Sequence, residues 1–435
     1  MITDQLTSSA HTTRELLQQA DMCVSCGMCL PHCPTYQLSQ TEAESPRGRI
    51  SLIKGFLEDE IPVNELLISH LDHCLLCRSC ESICPARVPF ANLMDATKAR
   101  LTSSKRIALL PRLFLLLVSR KKILGLLMDV SSVIPWRKLL KKVPGRSCGL
   151  ARYLAVASQS SHAPKWKSSY PAAGKPDYTV ALFTGCLESY FNAETVFDTI
   201  RVLNSLGVTV HLPASQQCCG AMHLHAGMPT KAKLMSQQNT EVFESLGVEF
   251  VISLSTACTV TLLEQQTEDQ SSSGLRYTDL ATFLEFIKWD QKRPLVRLSQ
   301  SVYLHTPCSQ RNGLKNASTT QKLLARIPGL VIHEFQVTHC CGAAGLYMLQ
   351  YPDWSDQLRD QLLAQCHQQC HTIVTSNLGC LIHLRQADKM PDFEVLHPAN
   401  LLAMTLGKRT DYVKVLTVTC RLLPDIIAIY QYIES

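Results

Sequence analysis

Two short runs of cysteines in this chain have the same spacing. CVSCGMCLPHCP covers residues 23–34, and CLLCRSCESICP repeats the same cysteine grid at residues 74–85. In both runs two residues separate the first three cysteines, three residues precede the fourth, and proline follows it. A triplet at this spacing wraps a tight loop around one ion or one face of a cluster. The fold must therefore gather these thiols around metal.

The spacing favours iron–sulfur clusters over zinc. Zinc sites typically take two cysteine pairs from separate loops, and they have no use for a third and a fourth cysteine in the same run. Three such cysteines followed by Cys-Pro form the bacterial ferredoxin pattern, in which the fourth cysteine ligates the other of two clusters. The pattern predicts two [4Fe-4S] sites with crossed ligands: Cys23, Cys26, Cys29 and Cys84 in one, and Cys74, Cys77, Cys80 and Cys33 in the other.

The composition fits metal binding in a reducing compartment. The chain has 435 residues and 20 cysteines, and its N-terminal MITDQLTSSAHTTRELLQQA has neither the basic nor the apolar region of a secretory signal. We therefore expect a cytoplasmic protein, in which unligated cysteine pairs stay reduced. Because a formal net charge of +6 is small for this length, we expect no nucleic-acid partner.

Apolar residues recur at helical spacing between the two cysteine runs, in PRGRISLIKGFLEDE and VNELLISHLDHC. We therefore expect an α-helical two-cluster ferredoxin domain over residues 1–100, followed by a basic helical linker over 101–175. Between Lys98 and Arg146 thirteen Lys or Arg residues face a single acid, Asp129. No apolar run there reaches the ~18 residues of a membrane span. The linker either lies on a membrane surface or packs on the ferredoxin domain with its charges in solvent.

A second cysteine grid repeats at longer range. Four cysteines and their counterparts 122 positions later follow the same order, with the central pair followed by glycine each time. The match indicates an internal duplication, with one Cys-Cys-Gly domain over 176–298 and a second over 299–435. The predicted cofactor-binding residues are Cys186, Cys218, Cys219 and Cys258 in the first domain, and Cys308, Cys340, Cys341 and Cys380 in the second.

Each Cys-Cys-Gly domain alternates predicted strands with predicted helices, which indicates a parallel α/β fold. TVALFTGC and SVYLHTPC are first strands, VTVHLP and LVIHEF second strands, and FVISLSTAC and TIVTSNLGC third strands ending at the last cysteine. The cysteines thus fall at carboxyl ends of strands, where such sheets bind ligands. Further iron–sulfur clusters are expected there; alternatively, the cysteines are small buried apolar residues. The whole chain is expected to be a multidomain α plus α/β protein.

Other sulfur and imidazole groups have weaker signals. Cys366 and Cys370 are expected to share a helix face as core residues, and Cys148 and Cys420 have no assignment. Four histidines lie near the predicted ligands and either donate hydrogen bonds to them or are ordinary loop and core residues: His223, His225, His305 and His339.

The two ferredoxin runs followed by two Cys-Cys-Gly domains resemble the iron–sulfur subunit of glycolate oxidase. The resemblance covers about residues 15–405, and its more particular marks are CPTYQL with SPRGRISLIKG, HLDHCLLCRSCESICP, CCGAAGLY and IVTSNLGCLIHL. Similar layouts occur in lactate-utilisation proteins, the iron–sulfur subunit of anaerobic glycerol-3-phosphate dehydrogenase and heterodisulfide reductase subunits. The last family completes its Cys-Cys-Gly motif with CxxC, whereas both copies here have a single cysteine, Cys258 or Cys380.

The resemblance implies an electron-transfer subunit of a glycolate or other 2-hydroxy-acid dehydrogenase complex, inactive by itself. Neither GxGxxG opening a helix nor GxxxxGK[ST] is found in this sequence, so no dinucleotide or nucleotide site is visible. The resemblance implies that FAD is bound by partner flavoprotein subunits. Electrons would pass toward a quinone or another membrane acceptor, with peripheral contact at the cytoplasmic face of the inner membrane. Three alternatives remain open. The first is the iron–sulfur subunit of a lactate-utilisation, anaerobic glycerol-3-phosphate dehydrogenase or heterodisulfide reductase-like complex. The others are a reductase that acts at its own Cys-Cys-Gly sites, and a zinc-stabilised scaffold.

Overall fold

The structure is a computed structural model, and it describes these residues: 12–104, 108–133, 149–268, 274–291, 293–336, 339–366, 370–387 and 393–406. Cys148, Cys420 and part of the basic segment lie outside them.

The N-terminal region is helical, as the sequence predicted. Its helices are α1 Thr13–Asp21, α2 Pro34–Ser39, α3 Pro46–Leu57, α4 Glu65–Asp72, α5 Ser79–Ile83 and α6 Phe90–Ser104. Capping residues mark where two of these helices begin. Thr12 and Glu15 form a capping box on α1. Ser45 caps α3, because its hydroxyl accepts a hydrogen bond from Gly48 N, and Pro46 is the first residue of that helix. Their apolar faces meet in one core that includes Leu16, Ile53, Leu71, Leu93 and Met94.

The described residues of the predicted linker form three further helices. These are α7 Leu109–Val118, α8 Lys121–Val133 and α9 Gly149–Ala157. The preceding helix α6 runs through residue 104 and so crosses the predicted domain boundary at 100. Among the described residues no helix combines the length and the apolar character that a bilayer crossing requires.

The two predicted Cys-Cys-Gly domains form two sheets of similar topology. The predicted fold class is thereby confirmed. The strands are β1 Ser169–Tyr170, β2 Tyr178–Phe183, β3 Val208–His211, β4 Phe250–Ser253, β5 Arg276–Asp279, β6 Gln300–His305, β7 Leu330–Glu334, β8 Thr372–Thr375 and β9 Glu394–Leu396. The first sheet has the order β1-β3-β2-β4-β5 and the second has β7-β6-β8-β9. All pairings are parallel except β1 with β3. Without β1, the two strand orders are equivalent.

Helices connect the strands in both domains. They are α10 Glu188–Phe191, α11 Ala193–Ser205, α12 Ala221–His225, α13 Pro229–Glu244, α14 Thr256–Glu268 and α15 Leu280–Phe286 in the first, and α16 Thr319–Leu324, α17 Tyr347–Gln350, α18 Pro352–Leu363, α19 Leu378–Leu384 and α20 Pro398–Thr405 in the second. Every residue of β4 and of β8 is buried, as expected for parallel strands covered on both faces.

The two Cys-Cys-Gly domains pack together through a shared apolar core. Val180 and Ile252 from the first sheet lie in one buried cluster with Val302 and Val374 from the second. Polar contacts join the ends of the third strands: Ser255 Oγ donates to Asn377 Oδ1 over 2.7 Å. The carboxyl ends of both sheets therefore lie close to one interface.

Two local predictions were wrong. The third strands end at Ser253 and Thr375, so that Cys258 and Cys380 lie in the first turn of the following helices, α14 and α19. The polar residues Ser255 and Asn377 directly precede these helices, which start earlier than the apolar pattern indicated. Helix α18 ends at Leu363, so that Cys366 lies beyond it and shares no helix face with Cys370. The Cys370 thiol instead donates to the carbonyl of Ser301 on β6.

Candidate metal centres

The first ferredoxin run surrounds a small cavity together with the last cysteine of the second run. Its lining includes five cysteines: Cys23, Cys26, Cys29, Cys80 and Cys84. Pro46 and Phe90 close the cavity with their apolar surface. The fourth cysteine of one run thus lies beside the triplet of the other, which is the arrangement that crossed ligands require.

A second cavity lies next to the first and shares Cys80 with it. Its cysteines are Cys33, Cys74, Cys77 and Cys80, and Thr35 and Arg49 also line it. This is the other predicted set of four. The ligand assignment itself stays a prediction, because an arrangement of thiols identifies no bound metal.

The two cysteine loops have the same backbone conformation. Left-handed residues occur at Ser25 and Gly27 in the first run, and at Leu76 and Arg78 in the second, fifty-one positions later. Such alternation turns backbone N–H groups toward the inside of a loop, where they stabilise negative charge. Leu76 N already donates to Cys74 Sγ over 3.5 Å. The duplicated loops are therefore built for an anionic sulfur centre.

Burial makes these thiols dependent on a cation. Burial raises the pKa of Cys77 to about 12, and it also raises the pKa values of Cys74 and Cys80 above the usual range. A buried thiol gives up its proton readily only when a metal ion takes the proton's place. All eighteen described cysteines are free of disulfides, so the donor sets fit iron–sulfur clusters.

A buried polar network that the sequence analysis missed supports the second cavity. Arg49 pairs with Glu44, and Glu44 Oε1 also lies 2.7 Å from His70 Nδ1 and 2.9 Å from His73 Nδ1. Burial raises the pKa of Glu44, but hydrogen bonds from His73 and His70 and the Arg49 charge outweigh it and hold the pKa low. The network holds α3 against α4, directly before Cys74.

The four cysteines of the first Cys-Cys-Gly domain lie in one continuous group. Cys186 contacts Cys218, Cys218 contacts Cys219, and Cys219 contacts Cys258 through their side chains. Hydrogen bonds from Cys186 and Cys219 lower the pKa of Cys218, while the bond to Cys218 and burial raise the pKa of Cys186. The group lies beyond the carboxyl ends of β2 and β4, where the strand order reverses and such sheets bind ligands.

Lys121 and His223 add charge and hydrogen bonding to this first group. The His223 side chain contacts Cys218 and also hydrogen-bonds Ser119 Oγ over 2.9 Å. Burial lowers the pKa of Lys121 at the start of α8 to about 8, and the nearby Cys186 and Cys218 oppose that shift. The basic linker therefore supplies a cation to this site, which its sequence pattern does not reveal.

The glycines of the Cys-Cys-Gly motifs have backbone angles that favour glycine, with φ of +89° at Gly220 and +88° at Gly342. A Cβ at Gly220 would lie 2.9 Å from Ala232 Cα, and one at Gly342 would lie 2.5 Å from the Ser355 carbonyl oxygen. Gly220 N also lies 3.5 Å from Cys218 Sγ. Glycine is therefore required at both positions, because the backbone closely approaches helix α13 in the first domain and α18 in the second, as well as the motif sulfurs.

The second Cys-Cys-Gly domain repeats the sulfur group. Cys308 Sγ lies 3.9 Å from Cys340 Sγ, and Cys341 contacts both Cys340 and Cys380. Asn377 Nδ2 donates to Cys380 Sγ over 3.3 Å. Of the predicted histidines, His305 lies beside Cys341 and Cys380, and His339 hydrogen-bonds the Cys340 carbonyl. His225 instead pairs with Asp95 of α6.

The second domain also contacts the ferredoxin loops. Cys77 and Leu75 belong to one apolar cluster with Cys308 and Cys340. Asn312 Nδ2 donates to the Cys77 carbonyl over 2.7 Å and to Ser79 Oγ over 3.2 Å. The second ferredoxin site and the second Cys-Cys-Gly site are therefore direct neighbours.

Comparison with protein families identifies the same parts of the chain. Residues 19–88 match the 4Fe-4S dicluster domain, and residues 180–263 and 302–385 each match the Cysteine-rich domain CCG. The predicted iron–sulfur domain and the predicted duplication are thereby confirmed.

Three relatives that match most of this chain have names of oxidoreductase subunits. The probable glycolate oxidase iron-sulfur subunit of Bacillus subtilis is 28% identical, over 89% of this chain and 94% of that subunit. The glycolate oxidase iron-sulfur subunit of Escherichia coli is 29% identical, over 84% and 90%. A subunit of the anaerobic glycerol-3-phosphate dehydrogenase of Escherichia coli is 27% identical, over 88% and 98%. The resemblance found in the sequence is confirmed.

Proposed function

We propose that this chain, a homologue of glycolate oxidase iron–sulfur subunits, is the electron-transfer subunit of a flavin-dependent 2-hydroxy-acid dehydrogenase complex, with glycolate as the substrate. Partner flavoproteins would oxidise the acid, and this chain would carry the electrons toward a quinone. When bound, [4Fe-4S] clusters accept and release single electrons, which lets a two-electron flavin serve one-electron steps.

The observation that carries this proposal is the adjacency of three cysteine groups. The two ferredoxin cavities share Cys80, and Cys77 of the second lies in one apolar cluster with Cys308 and Cys340 of the second Cys-Cys-Gly domain. A zinc scaffold has no need for metal sites arranged in series. A path for electrons requires metal sites arranged in series, because the rate of electron transfer between two centres falls with the distance between them.

The first ferredoxin cavity is the best candidate for the place where electrons enter. Cys26 is exposed, and apolar residues surround it at the surface: Val24 is 71% exposed, Met28 49% and Met22 41%. Exposed apolar groups around a redox site favour protein contact. We assign this face to a flavoprotein partner.

A second exposed apolar face lies on the linker helices. Leu109, Leu113 and Leu116 follow helical spacing on α7 and are 80%, 49% and 41% exposed, and Leu126 on α8 is 66% exposed. Arg112 on α7 and Arg120 directly before α8 are also exposed. An amphipathic surface with this combination binds to anionic lipid headgroups. We assign this face to peripheral contact with a membrane, where a quinone would be reached.

The alternative complexes differ in substrate. Relatives named for anaerobic glycerol-3-phosphate dehydrogenase and for lactate utilisation also match this chain, and in the proposed complex the partner flavoprotein would oxidise the acid. The partner flavoprotein therefore decides the substrate, and glycolate rests on the glycolate oxidase relatives.

The test is anaerobic co-purification from the native host with a tag on this chain. We expect flavoprotein partners to elute with it, about eight or more irons per chain with matching acid-labile sulfide, and bleaching of the visible absorbance when glycolate is added to the complex. The isolated chain should show no bleaching with any of the acids. A colourless, folded chain that contains zinc would contradict the proposal, as would bleaching by lactate or glycerol 3-phosphate alone.

A further inference from the structure

The second Cys-Cys-Gly domain holds an imidazole among its sulfurs. Potential ligand atoms of His305, Cys341 and Cys380 all lie within 4.8 Å of one another, and all three residues are buried. His305 is the last residue of β6 and is 3% exposed. Three soft or borderline donors converging in a buried space are a typical first coordination sphere for a transition metal.

The ring of His305 is oriented as metal-bound histidines are. Its Nδ1 hydrogen-bonds Thr375 Oγ1 over 3.0 Å on the neighbouring strand β8. Its Nε2 is buried and has no hydrogen-bond partner among the described residues. Metal-ligating histidines usually fix one ring nitrogen through a second residue and leave the other for the metal. A buried nitrogen without a partner is otherwise rare in a folded protein.

The duplication makes this position informative. The residue of the first domain that corresponds to His305 is Phe183, the last residue of β2. Its ring is buried against Phe243, with ring centroids 6.2 Å apart. The two domains repeat all four cysteines but differ here, so the imidazole is an addition to the second sulfur group.

We propose that His305 is a direct ligand, through Nε2, of an iron–sulfur cluster in the second Cys-Cys-Gly domain, together with the sulfurs of Cys308, Cys340, Cys341 and Cys380. This inference rests on the proposed electron-transfer function and distinguishes the two duplicated domains chemically. In the first domain Phe183 occupies the corresponding position and offers no ligand atom.

The ligand change has an electronic consequence. A neutral imidazole in place of a thiolate removes negative charge from a cluster, and replacing cysteine by histidine raises the reduction potential of iron–sulfur centres. A cysteine thiolate at position 305 would add negative charge that the neutral imidazole does not, so the natural centre has a higher reduction potential than the same centre with cysteine at this position.

The test is pulsed EPR on the full chain, purified and reduced without oxygen, with histidine labelled by 15N. We expect a strong 15N hyperfine coupling of the size produced by a directly bound imidazole. The coupling should vanish in His305→Phe, which copies the first domain. It should persist in the control His333→Phe on β7, where the natural imidazole packs on Tyr303 with ring centroids 5.3 Å apart.

His305→Cys keeps a ligand in case the Phe variant fails to fold. We expect it to retain the iron and sulfide content, lose the 15N coupling and shift one midpoint potential downward in a redox titration. A strong 15N coupling that survives in His305→Cys would overturn the inference, as would a second domain that carries zinc or no metal. Iron and EPR signals from the ferredoxin sites report on the proposed function independently, so the two failures are distinguishable.

Discussion

Asn312 of the second Cys-Cys-Gly domain donates a hydrogen bond from Nδ2 to the carbonyl oxygen of Cys77 in the ferredoxin domain, over 2.7 Å. The same cysteine loop is held from the first domain, where Arg78 Nη2 pairs with Glu264 Oε2 over 2.9 Å. Both duplicated domains therefore hold the loop that encloses the second ferredoxin site.

Replacing Asn312 should loosen this loop without unfolding the chain. Asn312→Ala leaves the Cys77 carbonyl without this donor, at a cost of about 1 kcal/mol, while Arg78 still holds the loop. We expect faster hydrogen exchange of backbone amides in residues 74–80. In the control Asn316→Ala the lost bonds go to Asp279 and Thr282, and exchange in the loop should stay unchanged. Equal exchange in both variants would contradict the assigned role.

Crossed ligation predicts which cysteine pairs act at one site. Cys26→Ser and Cys84→Ser should each disturb the same cluster, so the double variant should lose about as much iron as either single variant, up to about four atoms. Cys84→Ser combined with Cys77→Ser should instead empty both sites. Iron and acid-labile sulfide analysis after anaerobic purification gives the answer. If the Cys26 and Cys84 double variant loses both clusters, each run ligates its own site.

The motif glycines predict a graded loss of stability. Gly342→Ala combines a left-handed backbone with a Cβ 2.5 Å from the Ser355 carbonyl oxygen, and we expect a loss of about 3 kcal/mol or more. Gly247→Ala has a φ of +62° but open space around the added Cβ, so it should cost only about 1 kcal/mol. Urea unfolding of the cluster-loaded chains measures both. Similar losses would mean that the close contact at Gly342 relaxes freely.

Buried His397 predicts a loss of stability toward acid. Burial lowers its pKa to about 3 from the usual 6.5. Because the folded pKa lies below the unfolded one, the unfolded chain takes up a proton first, and this group's contribution is lost as the pH falls below about 6.5. Between pH 7.5 and 5.5 the loss is about 1 kcal/mol.

The variant His397→Asn tests this pH dependence, because Asn also caps a helix start such as that of α20. Its unfolding free energy should fall less between those pH values than that of the natural chain. A His397→Asn chain with an unchanged slope would show that this histidine titrates alike in both states.

The exposed leucines of α7 predict membrane binding. Leu113→Glu with Leu116→Glu places charge on the apolar stripe, and we expect at least about tenfold weaker binding to vesicles containing phosphatidylglycerol. Leu234→Glu is the matched control, because Leu234 lies on a different helix, α13, and is also well exposed, at 55%. Flotation of the full chain with vesicles measures the bound fraction. Loss of the flavoprotein partner, with vesicle binding intact, would assign this face to protein contact instead.

Local patterns in the sequence carry much of this architecture. Cysteine spacing predicted the paired groups of the ferredoxin domain, and the repeat of Cys186 at Cys308 predicted two equivalent sheets. Both predictions succeed because the spacing of the cysteines can be read directly from the sequence. The first and second strands of each Cys-Cys-Gly domain were predicted correctly from their apolar runs, which are also local features of the sequence. The third strands were predicted to continue to Cys258 and Cys380. Ser255 and Asn377 instead contact each other at the domain interface and directly precede the next helices.

Contacts between distant segments were beyond such patterns. Nothing in the spacing of Lys121 places it beside Cys186, and Glu44 gives no sign of its two histidine partners. The contrast between His305 and Phe183 was present in the aligned repeats, but its meaning depends on Thr375 and Cys380, which only folding brings to the same ring. The periodicity of apolar residues indicates which side of a helix or strand is buried, but it does not indicate which other segment packs against that side.

The surface position of Cys26 has a consequence for the lifetime of this chain. A centre held by that thiol meets dissolved dioxygen sooner than one enclosed behind Cys77, so an unassembled subunit would decay from this end first. A flavoprotein seated over Val24 would then act as a shield as well as an electron source, and cells would need to pair the subunits soon after the metal is installed.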